Sequence, residues 1–92
     1  MEQREVFEEL KGLFVSRLKF EPRRVADVSL QTALPKGIEG SIGLDSLDFI
    51  ELGLAIEDRF GVVIDESQDD LAEHFATFST LCRFITERAK PA

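Results

Sequence analysis

Ninety-two residues, 43% of them hydrophobic and with a net charge of -7, describe one small folded domain and not a disordered chain. A chain this short has room for a modest core and a groove between its elements, but no enclosed substrate chamber. No apolar run is long enough to cross a membrane, the N-terminus has no signal-peptide segment, and Cys82 is the only cysteine, so an intramolecular disulfide is excluded and a cytoplasmic setting is expected.

Residues 2 to about 18 have the periodicity of an amphipathic helix. Val6, Leu10, Leu13 and Phe14 share a stripe, with Phe7 and Leu18 at its edges. Glutamates gather towards its start and Arg17 and Lys19 at its end, as the helix dipole favours, and Pro22 marks the exit. Residues 19 to 44 form a long connection broken by Pro35, Gly37, Gly40 and Gly43. Val25, Val28, Leu30 and Leu34 are too apolar for a free linker. The segment is therefore expected to pack over the helices, with a short helical turn near residues 29–34.

Residues 46–60 make the strongest helix of the sequence. Asp45 is placed to cap it, Asp48 stands where the reciprocal acid of a capping box belongs, and Gly61 supplies the stop. Two apolar stripes run along it. Phe49, Leu52, Ile56 and Phe60, with Ala55 beside them, are spaced for a core face. Leu47, Ile50 and Leu54 lie on an adjacent face, either as more core or as an exposed strip between acids. Gly53, between the stripes, weakens the helix by about 1 kcal/mol relative to alanine. Close packing, close approach of a ligand or chance would each account for it.

Val62-Val63-Ile64 reads as an extended run tucked inwards. Residues 68–75 predict a short helix carrying Leu71, Ala72 and Phe75. Residues 78–89 predict the last helix, capped by Thr77, with Phe78, Leu81, Cys82 and Ile85 on its inner stripe. The expected fold is all-α: a bundle of three longer helices and one short one with a long first loop, a single domain over residues 1–92. Eight phenylalanines with no tryptophan or tyrosine assign the aromatics to packing.

The charge is unevenly spread. Residues 1–44 carry seven acids and seven bases, whereas residues 45–73 carry ten acids against Arg59 alone. A net of -9 in one continuous stretch repels nucleic acid and anionic membranes and attracts basic protein surfaces. A solvated acidic face without a partner has the same signature.

Little in the sequence points to catalysis. Leu44 and Asp48 stand where a serine nucleophile elbow centred on Ser46 needs glycines. The only histidine, His74, has no sequence tie to Ser46, so no catalytic residues are assigned. The acids from Asp65 onwards have the wrong residues for a calcium loop, with Asp70 at the glycine position and Ala76 at the bidentate-glutamate position. One cysteine and one histidine make no structural zinc site, and no metal is expected. Cys82 reads as a small core residue.

Ser46 opens the strong helix behind a glycine-containing loop. A capping role is the plain explanation for a serine there. Asp45, however, is available as cap, and a phosphate ester on Ser46 would lie at the positive end of the helix. Position alone suits phosphorylation and phosphopantetheinylation equally.

The segment GLDSLDFIELGLAIEDRFGVVI, residues 43–64, resembles the signature of acyl carrier proteins. The resemblance rests on Asp45-Ser46-Leu47 at the start of the second helix and on the pattern of acids and apolar residues through Phe60, Gly61 and Ile64. The first and last helices extend it to the whole chain. It implies a covalent 4'-phosphopantetheine arm on Ser46, derived from coenzyme A and flanked by Asp45 and Leu47. It implies a partner-binding face of Leu47, Asp48, Ile50, Glu51, Leu54, Glu57 and Asp58. The expected partners are a phosphopantetheinyl transferase, ketosynthases, acyltransferases and other enzymes with basic docking patches. An acyl pocket is expected from Leu54, Val63, Ile64, Leu71 and Phe75.

The chain is then a carrier and not an enzyme, expected to be free-standing and monomeric. Its cargo belongs to fatty-acid, polyketide or specialised lipid biosynthesis. The loop Pro35 to Ile42 and the stretch Asp65 to Phe75 are longer than in ordinary fatty-acid carriers, which favours a specialised pathway at least as much as the primary one. An acidic helical interaction domain and a peptidyl or amino-acyl carrier are the alternatives, the last less favoured by Asp45 and the acidic helix.

Overall fold

The first helix, α1, runs Gln3–Ser16 in a computed structural model that describes residues 2–65 and 70–89. Val6, Leu10 and Phe14, spaced by four, are fully buried and form its contact stripe. The backbone then turns at Lys19, whose φ of 64° is left-handed, and Pro22 opens a second helix, α2, over Pro22–Ala26. Proline's fixed φ suits a first helical position, so Pro22 is an entry as well as an exit. The helical turn expected at residues 29–34 is absent. There the Ser29 N–H donates to Thr32 Oγ1 at 2.9 Å and the Gln31 N–H donates to Ser29 Oγ at 3.2 Å. These local side-chain bonds compete with a helix and fix a turn in its place.

The strong helix, α3, spans Ser46–Phe60 as expected. Asp45 and Asp48 form the capping box, and Gly61 ends the helix in a left-handed conformation with φ 68°. A short helix, α4, covers Leu71–His74, capped by Asp70. The part of the predicted helix at residues 68–69 lies outside the described residues. The last helix, α5, covers Phe78–Arg88 and begins with a capping box between Thr77 and Thr80.

The long connection is a structural element in its own right. The N–H groups of Phe78 and Ser79, which no helical carbonyl can satisfy, donate to Thr32 O at 3.2 Å and Leu30 O at 2.8 Å. Leu34 N–H donates to Ala76 O at 3.0 Å, and Leu44 N–H to Leu34 O at 2.8 Å. Arg24 Nη2 donates to Ile42 O at 2.7 Å and lies over the Phe20 ring. Leu34, Ile42 and Leu44 thereby enter the same core as the helices.

That core lies chiefly between α1 and α5, with α3 and the loop completing it. Phe14 and Phe78 pack with ring centroids 5.2 Å apart, Phe7 meets Phe78 edge-on, and Phe84 is buried against Phe75. Leu52, Ala55 and Ile56 are the buried residues of α3, while Phe49 and Phe60 are only half-buried. In the run after Gly61, Val62 is buried and Val63 is 77% exposed, the alternation of an extended backbone. Only part of that run is tucked inwards.

Candidate functional site

The site is built from the start of α3. Gly43 has φ 83°, a conformation that favours glycine, and its N–H is held by Ser41 Oγ at 2.8 Å. Leu44 is locked by backbone hydrogen bonds on both sides, to Leu34 and from Lys36, and its side chain is buried. Leu44 and Phe49 thus occupy the two positions of a hydrophobic staple. The Asp48 N–H donates to Asp45 Oδ1 at 2.9 Å, and the Asp45 N–H donates back to Asp48 Oδ2 at 3.2 Å. The capping therefore falls to the two aspartates. Ser46, at the first helical position, is left exposed and outside the box.

The Asp48 N–H holds the Asp45 carboxyl below the usual carboxylate range, and the nearby charge of Lys36 acts in the same direction. The helix start thus combines an ionised cap, the positive end of the backbone dipole and an unencumbered hydroxyl. A capping serine would need its oxygen turned back to the helix N–H groups, a place Asp45 already fills.

The second apolar stripe faces outwards. Leu47 is 75% exposed, Ile50 62% and Leu54 50%. This decides the alternative that periodicity left open, because the core takes only the Leu52–Ala55–Ile56 face of α3. The acids on either side are engaged within the chain. Arg17, just after α1, donates to Glu51 Oε1 at 3.1 Å and to Asp58 Oδ2 at 3.4 Å. Glu57 Oε2 accepts from the Ile64 N–H at 3.2 Å, and Arg59 forms a two-pronged pair with Glu9 at 2.9 and 2.7 Å. The acidic face is real in position, but its carboxylates also have structural duties.

A groove of about 530 Å³ opens beside the strip, lined by Pro35, Phe49, Ile50, Gly53, Leu54, Glu57, Ile64, Leu71, Ala72 and Phe75. Such a volume suits a small apolar ligand. Ile50, Gly53, Leu54 and Glu57 follow Ser46 by four, seven, eight and eleven residues, so the groove starts one turn from the serine and runs along α3. The predicted pocket residues Leu54, Ile64, Leu71 and Phe75 all line it. Val63 does not: the extended backbone sends its side chain away from Ile64's, and it joins the exposed apolar surface. Pro35, Phe49, Ile50, Gly53, Glu57 and Ala72 were missed as lining residues. The shared helical face of Ile50, Gly53, Leu54 and Glu57 was the available signal; nothing local indicated Pro35.

The other reactive groups lie apart in role. The His74 ring stacks on Phe84 with centroids 4.5 Å apart. Cys82 is buried, and loss of water around it pushes the thiol up to about 11, so it packs as an apolar residue.

Known proteins resemble this chain over most of its length. A family described as "Phosphopantetheine attachment site" matches residues 8–85. An acyl carrier protein of Rhodopseudomonas palustris (strain TIE-1) is 34% identical over 86 residues, covering 94% of this chain and 96% of the relative. One from Caulobacter vibrioides (strain NA1000 / CB15N) is 30% identical over 84 residues, covering 91% and 95%. One from Wolinella succinogenes is 34% identical over 80 residues, covering 87% and 92%.

Proposed function

This chain belongs to the acyl carrier protein family and is a phosphopantetheine-bearing carrier, and from that premise we propose that Ser46 is the residue to which the arm is joined. The observation that carries the assignment is the division of labour at the head of α3. Asp45 and Asp48 cap the helix, which leaves the Ser46 hydroxyl exposed at its positive end. A phosphodiester there suits the donor set: the helix dipole draws the anion, and Lys36 adds a cation close enough to lower the Asp45 pKa. The arm's terminal thiol supplies the thioester linkage that holds an acyl group. Leu47, three-quarters exposed beside the serine, offers an apolar contact to any enzyme that must reach the hydroxyl.

The groove is the resting place of the acyl group. It begins one turn from Ser46 and is lined mainly by apolar side chains, and each methylene taken out of water contributes about 0.8 kcal/mol. An apolar acyl chain therefore fits this carrier better than an amino-acyl cargo. Leu47, Ile50 and Leu54 form the apolar centre of the docking face, and Asp48, Glu51, Glu57 and Asp58 its acidic surround. The partners are enzymes with basic patches: the transferase that installs the arm, and ketosynthases and acyltransferases that load or extend the cargo. Weak, screened ion pairs suit a protein that must dock, deliver and leave. We place this single-domain carrier in the cytoplasm as a monomer with no catalysis of its own.

The direct test is intact mass after incubation with coenzyme A and a broad-specificity phosphopantetheinyl transferase. One arm per chain is expected, and Ser46→Ala should remove the increment while keeping the helical circular dichroism. No increment under conditions that modify another carrier would refute the assignment.

A further inference from the structure

Gly53 stands in the interior of α3, where glycine is the poorest ordinary helix former, and nothing among the described residues requires it. Its φ is not left-handed. Among the described residues, a Cβ added there would meet only Ile64 Cδ1, at 3.9 Å, an ordinary contact. An alanine would therefore fit and would strengthen the helix. What the glycine does provide is a bare stretch of helix wall inside the groove, about two turns from Ser46 and opposite Ile64. Ile50 and Leu54, on the same face, keep their side chains and leave the gap at one level only. The gap widens the groove locally and does not lengthen it.

We propose that Gly53 is a specificity-determining position: about two helical turns from Ser46 it opens a niche in the groove wall that admits an acyl group thicker than a straight chain, one carrying a branch or a ring. The inference rests on the reading of the groove as the acyl site. The occupant is the acyl group borne by the chain's own Ser46. A straight polymethylene chain leaves the niche unfilled, whereas a branch or ring places apolar surface against the exposed backbone and Ile64. Filling the niche with a side chain removes this advantage without touching the attachment site or the capping box.

The test compares two ten-carbon cargoes, decanoyl and cyclohexylbutanoyl, loaded from their coenzyme A thioesters onto the unmutated protein, Gly53→Ala and Gly53→Val. The readout is the rise in melting temperature of each acylated protein over its own unacylated holo form. Unacylated Gly53→Ala should melt roughly 4–8 °C above the unmutated protein, which guards against misfolding as an explanation. The unmutated protein should gain more from cyclohexylbutanoyl than from decanoyl. Gly53→Ala should reduce the cyclohexylbutanoyl gain by at least half and Gly53→Val should abolish it, each by a larger fraction than it reduces the decanoyl gain. Equal gains from both cargoes in all three proteins, or a gain from decanoyl alone in the unmutated protein, would overturn the niche. No gain from either cargo in the unmutated protein would overturn the groove reading and the niche with it.

Discussion

Arg17 Nε donates to Glu51 Oε1 at 3.1 Å, which ties the end of α1 to the acidic face of α3. The same guanidinium reaches Asp58 at 3.4 Å, two helical turns further along. One cation of the chain therefore occupies two acids of the proposed docking face. An enzyme that docked on the proposed face would have to share these carboxylates with Arg17 or displace it.

Removing this internal competitor should help docking. Arg17→Gln is expected to speed arm transfer by up to about fivefold, the rate equivalent of about 1 kcal/mol, with a steeper fall as salt is raised. The pair is a third or more exposed on every side, so its effect on folding should stay within about 1 kcal/mol. Stopped-flow or quenched transfer kinetics across a salt series would check this. An unchanged rate and salt slope would mean that Glu51 and Asp58 take no part in docking.

The long connection should behave as core and not as a cover. Leu34 is fully buried, and its backbone joins the loop to both the head of α3 and the segment before α5. Leu34→Ala is expected to cost about 2–5 kcal/mol in urea denaturation, the range of a helix-core truncation. A cost well under 1 kcal/mol would show the loop to be loosely applied.

The cap of α3 gives a pH signature. The folded-state pKa of Asp45 lies below its ordinary value of 3.8, chiefly because the Asp48 N–H stabilises the carboxylate. Its contribution is present above the unfolded value and is lost as pH falls through the folded one. Asp45→Asn keeps a capping acceptor but no charge. The unmutated protein should melt higher than Asp45→Asn at neutral pH, and the difference should shrink as pH falls below 3.8 and vanish once it has passed the lower folded value. A pH-independent difference would assign the effect to packing and not to ionisation.

What the sequence determined by itself is what depends on neighbours in the chain. The Asp45–Asp48 box, the Gly61 stop and the Thr77 cap are contacts within about four residues, so composition and spacing locate them before any fold is known. The bounds of α3, the place of Ser46 at its head and the buried stripe of α5 followed from the same local chemistry. The pocket residues Leu54, Ile64, Leu71 and Phe75 were legible because the resemblance already implied the bundle that gathers them.

Only the tertiary structure decided the matters that turn on distant partners. Periodicity gave α3 two apolar stripes; the packing of the core decided which one meets water, leaving Leu47 and Ile50 outside. The docking of the loop depends on the carbonyls of Leu30 and Thr32, which receive the first N–H groups of α5 more than forty residues away. Val63 faces away because Val62 is anchored in the core. The pairing of Arg17 with Glu51 and Asp58 spans more than thirty residues and leaves no trace in spacing. Short-range hydrogen bonds are written in the sequence as motifs, whereas long-range burial and ion pairing exist only once the helices have chosen their neighbours.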